Sequence, residues 1–318
     1  MSNPFPSRIA AIIGGGTMGT DIAAIFIASG WNVHLVEPLR ERWPAALDRI
    51  RQSLAQLKML SAGRSPAADK LSVEMLATIG ELPWQTLGIV IECIPETLKL
   101  KQALFAEIVK MAPPHLPLAS NSSSIPISDI SRGLATRERM LGLHFFMPAH
   151  LVPAVEVIRG EATDPELCNQ CSNLMRSLGK VPVNVKKDIP GFLANRLQHA
   201  LAREAFALID AGLASAEDVD AAVRFGFGLR YLAAGPVLQK DIAGLDIHFA
   251  AAQTMYPSLA NNSEPSASLR EKIAAGKLGM KTGEGFYKWT DDSAAKEKAR
   301  YELALLDALK LLKPDMPS

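Results

Sequence analysis

Residues 9–30 read IAAIIGGGTMGTDIAAIFIASG, and three signals follow one another within them. Ile9–Ile13 is an apolar run long enough for one buried strand. Gly14, Gly16 and Gly19 then give the spacing G-x-G-x-x-G. Ile22, Ala23, Phe26 and Ile27 recur at helical spacing, and Gly30 can end that helix. A strand, a tight glycine turn and a helix N-terminus make a pyrophosphate cradle, because the unpaired N–H groups of the first helical turn point at the anion. In such a cradle Gly14 permits the turn, Gly16 lets the backbone approach the phosphates, and Gly19 lets the helix pack close to its strand. Thr17 and Met18, between Gly16 and Gly19, join them as cofactor-binding candidates. Asp21 would repel a phosphate if it faced one, so it is expected to point away.

After Gly30 comes WNVHLVEP, a second strand ending at Glu37. A carboxylate at this distance from the glycines suits an adenosine ribose diol and opposes a 2'-phosphate, which makes NAD the expected cofactor rather than NADP. Arg40 and Arg42 pull against that preference, and a plain strand-end surface carboxylate is the competing reading of Glu37. The fold class expected is α/β: a Rossmann-type sheet domain followed by a helical one.

Composition agrees with two domains. A chain of 318 residues exceeds what one core usually holds. The expected division is an NAD-binding domain at 1–188 and a helical substrate-binding and dimerisation domain at 189–318. Lys and Arg total 34 against 33 Asp and Glu, a formal charge of +1 that suggests neither a nucleic-acid surface nor a polybasic membrane patch. The three cysteines are Cys93, Cys168 and Cys171; the C-x-x-C pair falls in a helical stretch without a second pair, so buried thiols are expected and no metal site. The N-terminus runs into the first strand without an apolar signal segment, and no run is long enough to span a membrane, so a cytoplasmic location is expected.

Along the chain, Leu39–Ala62 has the apolar periodicity of a long helix, broken by Gly63–Ala68. Arg49, Arg51, Lys58 and Arg64 give it a mild positive bias, either toward a ligand cleft or on a solvated face. A shorter amphipathic stretch leads to LGIVIECI, a buried strand flanked at its end by Glu92 and Glu96. Glu96 and Lys101 stand either beside the cofactor or as an ordinary surface pair. Pro117–Ser120 is a short strand followed by Asn121, Ser122, Ser123 and Ser124, hydroxyls suited to a cleft or to capping the next helix. Met140–Phe145 is an apolar strand containing His144, and Glu156 follows twelve residues later in PAVEVI. Adjacent strands can bring that carboxylate against the imidazole and fix its tautomer; a satisfied core histidine is the competing reading. Val181–Val185 closes the first domain, and KKDIPGF breaks the chain. Beyond it, Phe192–Ala211 is a helix carrying Asn195, Ser215-x-x-Asp218 starts another, Arg224–Gly235 has a loop pattern, Pro236–Tyr256 is helical, and Tyr256–Ser268 is a loop. KLGMKTGEGFYKW is expected to pack its aromatics on the helical domain, and a final helix runs from about Ser293 to Leu312.

The ordered set GGGTMG, PETLKLK, NSSS, HFFMP, VEVI, PGFLANR and KTGEGFY covers nearly the whole chain. Together these segments resemble the soluble L-3-hydroxyacyl-CoA dehydrogenase family. The resemblance implies an N-terminal NAD-binding domain and an all-helical C-terminal domain that forms homodimers. It implies His144 as the catalytic base, Glu156 as its orienting carboxylate, Ser123 as the serine that contacts the substrate oxygen, Asn195 as the second domain's asparagine, and Glu96 and Lys101 as residues close to the cofactor. Where the family has H-F-F-N-P, this chain has Met147, whose thioether cannot donate an amide hydrogen bond. GFGLRYLAAGP is similar to branches that oxidise small free hydroxy acids, the carnitine and gulonate dehydrogenases, and Arg230 within it suits a substrate carboxylate or a dimer contact. The main expectation is hydride transfer between an L-3-hydroxyacyl-CoA and a 3-oxoacyl-CoA. The alternatives are a dehydrogenase of a small free 3-hydroxy acid, and a noncatalytic binding or structural relative.

Overall fold

The computed structural model of the chain describes residues 5, 7–60 and 72–316. The chain forms two compact units, the first running to Asn195 and the second comprising Arg196–Pro314.

The first unit is built on strands β1 (Ile9–Ile13), β2 (Asn32–Val36), β3 (Val73–Leu76), β4 (Ile89–Glu92), β5 (Leu118–Ser120), β6 (Met140–Phe145), β7 (Ala154–Ile158) and β8 (Val181–Val185). They form one eight-stranded sheet in the order β3-β2-β1-β4-β5-β6-β7-β8. Every pairing is parallel except β6 with β7. Helices α1 (Thr17–Ala28), α2 (Trp43–Leu60), α3 (Leu98–Met111), α4 (Ile127–Ile130) and α5 (Pro165–Ser177) accompany the sheet. Parallel strands covered on both faces need apolar residues at nearly every position, which is why IAAII and Ile89–Ile91 read as unbroken runs, with Glu92 at the strand end. Two buried clusters result. One packs Ile22, Phe26, Leu35 and Leu174, and the other Val36, Phe105, Ile108 and Leu118. Each fully buried Phe or Leu contributes about 1.5–3 kcal/mol. The strand order reverses between β1 and β4, and in such sheets the crevice at the carboxyl ends of these strands holds the ligand.

Several elements differ from expectation. The helix read from Leu39 begins at Trp43, after a 3₁₀ turn at Arg40–Arg42. Its expected break at Gly63–Ala68, with Arg64, lies outside the described residues. The amphipathic stretch after it contains β3, a four-residue edge strand too short to show a period. Asp21, as expected, points away from the helix N-terminus: it lies one turn into α1 and its side chain faces Arg49 and Ser53 of α2. Cys168 and Cys171 are buried thiols on α5.

The second unit contains most of α6 (Ala194–Asp210), then α7 (Ala216–Ala221), α8 (Gly228–Arg230), α9 (Pro236–Ala243), α10 (Leu245–Met255), α11 (Ala267–Ala274) and α12 (Asp291–Leu312). Helix α6 starts at Ala194, because Gly191 and Phe192 both have positive φ, 77° and 50°. The stretch from Arg224, expected as loop, is largely helical: a π-helical turn at Ala222–Phe227 continues α7 into α8. Gly228 lets it do so, since a Cβ there would lie 2.5 Å from the Val223 carbonyl. The single helix expected over Pro236–Tyr256 is divided at Gly244, whose φ of 100° no helix accommodates. The glycine-rich segment near the end packs as expected: Phe286 stacks on Phe206 at 5.3 Å, and the Tyr287 hydroxyl donates to Asp220 at 2.7 Å. Thr290 caps α12 through Ser293. Among the described residues no helix is long and apolar enough to cross a membrane.

Candidate active site

The glycine turn sits where β1 ends. Gly14 has φ of 115°, and a Cβ there would lie 2.7 Å from the carbonyl of Cys93, the residue after β4. Gly19 is tighter: a Cβ would lie 1.9 Å from the Gly14 carbonyl oxygen. Gly16 is the opposite case, with no protein atom within 4 Å of a Cβ. It is also the N-cap of α1, and no side chain caps it, so the N–H groups of the first turn face an open space. A turn that packing demands at Gly14 and Gly19, left open at Gly16, fits a bound pyrophosphate.

Glu37 follows β2 and is 7% exposed. One carboxylate oxygen accepts the Gly15 N–H at 3.2 Å and the other the Leu39 N–H at 3.1 Å. Trp43 Nε1 donates to the Glu37 carbonyl at 2.8 Å. The Arg40 guanidinium lies 5.1 Å from the centre of the Trp43 ring. The carboxylate is thus fixed beside the glycine turn, as a ribose acceptor must be.

At the end of β4, Glu92 and Lys101 form a buried ion pair. Lys101 is 1% exposed and donates to Glu92 Oε1 at 2.7 Å and to the Ile94 carbonyl at 3.2 Å. Its Nζ is 3.4 Å from Glu96 Oε2. The other Glu96 oxygen accepts from Ser122 Oγ at 2.7 Å and from the N–H groups of Ser123 and Ser124, each at 2.9 Å. The hydroxyls of Ser123 and Ser124 lie 3.3 and 3.0 Å from it. Burial pushes the Glu96 carboxyl up, but the Ser122 and Ser124 hydrogen bonds and the Lys101 charge outweigh burial and hold it at about 2. Glu96 therefore gathers the serine loop, and Lys101 fixes Glu96. Asn195 Nδ2 donates to the Ser123 carbonyl at 2.9 Å from the other side. Asn195 is the last residue before the boundary between the two compact units.

His144 and Glu156 meet across the antiparallel β6–β7 pair, where they are register partners. His144 Nδ1 is 2.7 Å from Glu156 Oε2. Glu156 Oε1 accepts the N–H groups of Leu193 and Ala194 at 3.0 and 2.8 Å. Burial works against its ionisation, but the His144, Ala194 and Leu193 hydrogen bonds outweigh that and hold the carboxyl below the usual range. An ionised carboxylate only accepts, so Nδ1 carries the proton and Nε2 of the neutral ring is left as a base. The imidazole is 4.6 Å from the Phe146 ring and 6.0 Å from Phe192. Met147 follows, 68% exposed.

Four residues of the site were not singled out from the sequence. The Leu193 and Ala194 N–H groups carry no side-chain signature. Phe192 walls the imidazole from a left-handed conformation that no residue pattern announces. Asn121 was visible only as part of the serine loop, yet its Oδ1 accepts the Phe145 N–H at 2.9 Å and fixes the strand beside His144.

The 3-hydroxyacyl-CoA dehydrogenase NAD binding domain matches residues 9–189, and the C-terminal domain of the same family matches residues 191–289. The chain is 34% identical over 308 residues to 5-formyl-3-hydroxy-2-methylpyridine 4-carboxylate 5-dehydrogenase of Mesorhizobium japonicum, covering 96% of this chain and 98% of the relative. A crystal structure of a 5-formyl-3-hydroxy-2-methylpyridine 4-carboxylic acid 5-dehydrogenase, described as an NAD+ dependent dismutase, superposes with a TM-score of 0.89 at 33% identity, covering 96% and 99% of the two chains. The human mitochondrial hydroxyacyl-coenzyme A dehydrogenase is 36% identical over 286 residues, 87% of this chain and 90% of that one. The structure of (S)-3-hydroxybutyryl-CoA dehydrogenase from Ralstonia eutropha gives a TM-score of 0.72 at 32% identity, covering 90% and 100%. With the glycine cradle, the strand-end carboxylate and both family domains in place, the chain belongs to the 3-hydroxyacyl-CoA dehydrogenase family and is an NAD-dependent dehydrogenase.

Proposed function

We propose that this dehydrogenase acts on a small free carboxylic acid bearing an alcohol or aldehyde, rather than on an acyl-CoA. The observation that carries this is the likeness to the pyridine carboxylate dehydrogenase, which spans 96% of the chain with a TM-score of 0.89, against 0.72 for the hydroxybutyryl-CoA enzyme. The charge on α2 supports it. Arg49 pairs with the buried Asp21 at 3.1 Å and Arg51 with Asp48 at 2.6 Å, so two of the cations that a ligand cleft or a solvated face would share have carboxylate partners within the chain. Met147 offers a thioether where an amide is expected.

In this reading Gly14, Gly16, Thr17, Met18, Gly19 and Glu37 hold the cofactor, which when bound supplies the hydride acceptor or donor. His144 Nε2 removes the proton from the substrate hydroxyl, or from the hydrate of an aldehyde, and returns it in the reverse direction. Glu156 fixes the ring and stabilises its charged form. Ser123, set by Glu96 and Asn195, hydrogen-bonds the substrate oxygen. The site is cytoplasmic in this account, and the enzyme works as a homodimer.

A direct comparison tests the substrate class: NADH formation with 5-formyl-3-hydroxy-2-methylpyridine 4-carboxylate and with free 3-hydroxy acids, against NADH consumption with acetoacetyl-CoA. At least about tenfold higher kcat/KM for a free acid is expected, a difference of roughly 1.4 kcal/mol in transition-state binding. A preference for the thioester would overturn the reading.

A further inference from the structure

Just beyond Met147 the chain turns back toward β7, and buried charge grips this turn from two sides. On one side is Asp21 of α1, fully buried, which accepts the Ala149 N–H at 3.1 Å. The same carboxylate takes Arg49 Nε at 3.1 Å, Arg49 Nη2 at 3.3 Å and Ser53 Oγ at 3.2 Å, all from α2. His150 Nδ1 lies 3.2 Å from Asp21 Oδ2, and His150 Nε2 meets Gln56 Oε1. On the other side is Lys180, buried just before β8. Its ammonium donates to the carbonyls of Ala149 at 2.7 Å and Val152 at 2.9 Å, with that of His150 at 3.4 Å. Burial pulls Lys180 down to about 7 while the Asp21 charge pulls it back up, so the two sides of the grip support each other.

A buried ion cluster of this kind is a poor way to add stability, since apolar side chains of similar volume do as well or better. What it adds here is register. The turn joins the strand of His144 to the strand of Glu156, and α1 carries the glycine cradle at its N-terminus. One carboxylate therefore ties the hairpin that holds the acid-base pair to the helix that holds the cofactor.

We propose that Asp21 is a positioning residue for hydride transfer: by holding the Pro148–Val152 turn on α1, it sets the His144 imidazole relative to the dinucleotide cradle. The inference rests on His144 being the base, as read above. The test is Asp21→Asn, which keeps the size and one acceptor but loses the charge and the second acceptor. It is read in two ways. Amide hydrogen exchange on the protein without substrate should quicken in residues 146–153 and stay near wild type elsewhere. With whichever of the pyridine aldehyde carboxylate or acetoacetyl-CoA the wild type turns over, kcat per folded molecule should fall about 10- to 100-fold, the cost of a misplacement on the order of 1 Å, with NAD affinity changed less than about threefold. Unchanged exchange in 146–153, or exchange quickened throughout with normal kcat per folded molecule, would overturn the role. If Asp21→Asn does not fold, Lys180→Met loosens the same turn from the other side and should give the same split; failure of both to fold would make the cluster a folding requirement and overturn positioning. Should the wild type turn over neither compound, the substrate reading fails, while the exchange measurement still decides the clamp.

Discussion

Nδ1 of His144 lies 2.7 Å from Oε2 of Glu156 because the two residues are opposite one another on antiparallel strands. The second Glu156 oxygen is fixed by the N–H groups that open α6. Both oxygens are thus committed, and the ring can present only Nε2. Glu156→Gln keeps the shape but loses the charge, and its amide nitrogen competes for Nδ1. We expect kcat to fall about tenfold, less than the roughly 10²- to 10⁴-fold that a positioned acid-base group contributes. Steady-state kinetics on the folded variant checks this, with the loss smaller than that of removing the imidazole.

Gly16 and Gly19 should separate cofactor binding from folding. An alanine at Gly16 touches no protein atom within 4 Å, so Gly16→Ala should melt within about 2 °C of wild type, as neutral surface changes do. Its methyl group lies in the open cradle, and NAD affinity should fall by about tenfold or more, the effect of losing one good contact. Gly19→Ala drives a Cβ to 1.9 Å from the Gly14 oxygen and should lower both the melting temperature and NAD affinity. Thermal melts and NAD titrations of the two variants provide the comparison.

Glu37 stands beside Gly15 with its carboxylate held by two N–H groups. A 2'-phosphate would meet that charge. NAD should therefore be preferred over NADP in kcat/KM by at least about 100-fold, the scale of a lost charged hydrogen bond plus repulsion. Paired assays with the two cofactors measure it directly, and equal use of NADP would contradict the assignment of Glu37.

Glu96 gives a pH signature. Its carboxyl is held at about 2 against an ordinary value of 4.5, so its contribution to stability is present above 4.5 and is lost as pH falls from there toward 2. Urea unfolding of wild type and Glu96→Gln at several pH values should show the wild type ahead near neutrality and the gap closing below about pH 4.5. A gap independent of pH would mean that Glu96 stabilises the serine loop through shape alone.

The parts of the fold that were legible in the sequence were those with a repeating pattern. The run IAAII and the glycine spacing announced β1 and the cradle, and the interval between His144 and Glu156 allowed the pair that β6 and β7 make. What was illegible depended on backbone. The left-handed Phe192, the N–H groups of Leu193 and Ala194, and the break at Gly244 are set by φ values that neighbouring residues impose. Arg224–Gly235 read as loop because its glycines are poor helix formers, yet a π-helical turn carries the chain through part of it. Asp21 was read correctly as turned from the cradle, but its partners Ala149 and His150 are far away in sequence.

The central claim is that the His144 imidazole moves the proton. The measurement is single-turnover kinetics and NAD titration of folded His144→Ala, using the free-acid or thioester substrate that the wild type prefers. The account predicts a chemical step slowed about 10²- to 10⁴-fold with NAD affinity nearly unchanged. Near-normal turnover per folded molecule, accompanied by a lower melting temperature, would contradict it and leave His144 as a packed core histidine.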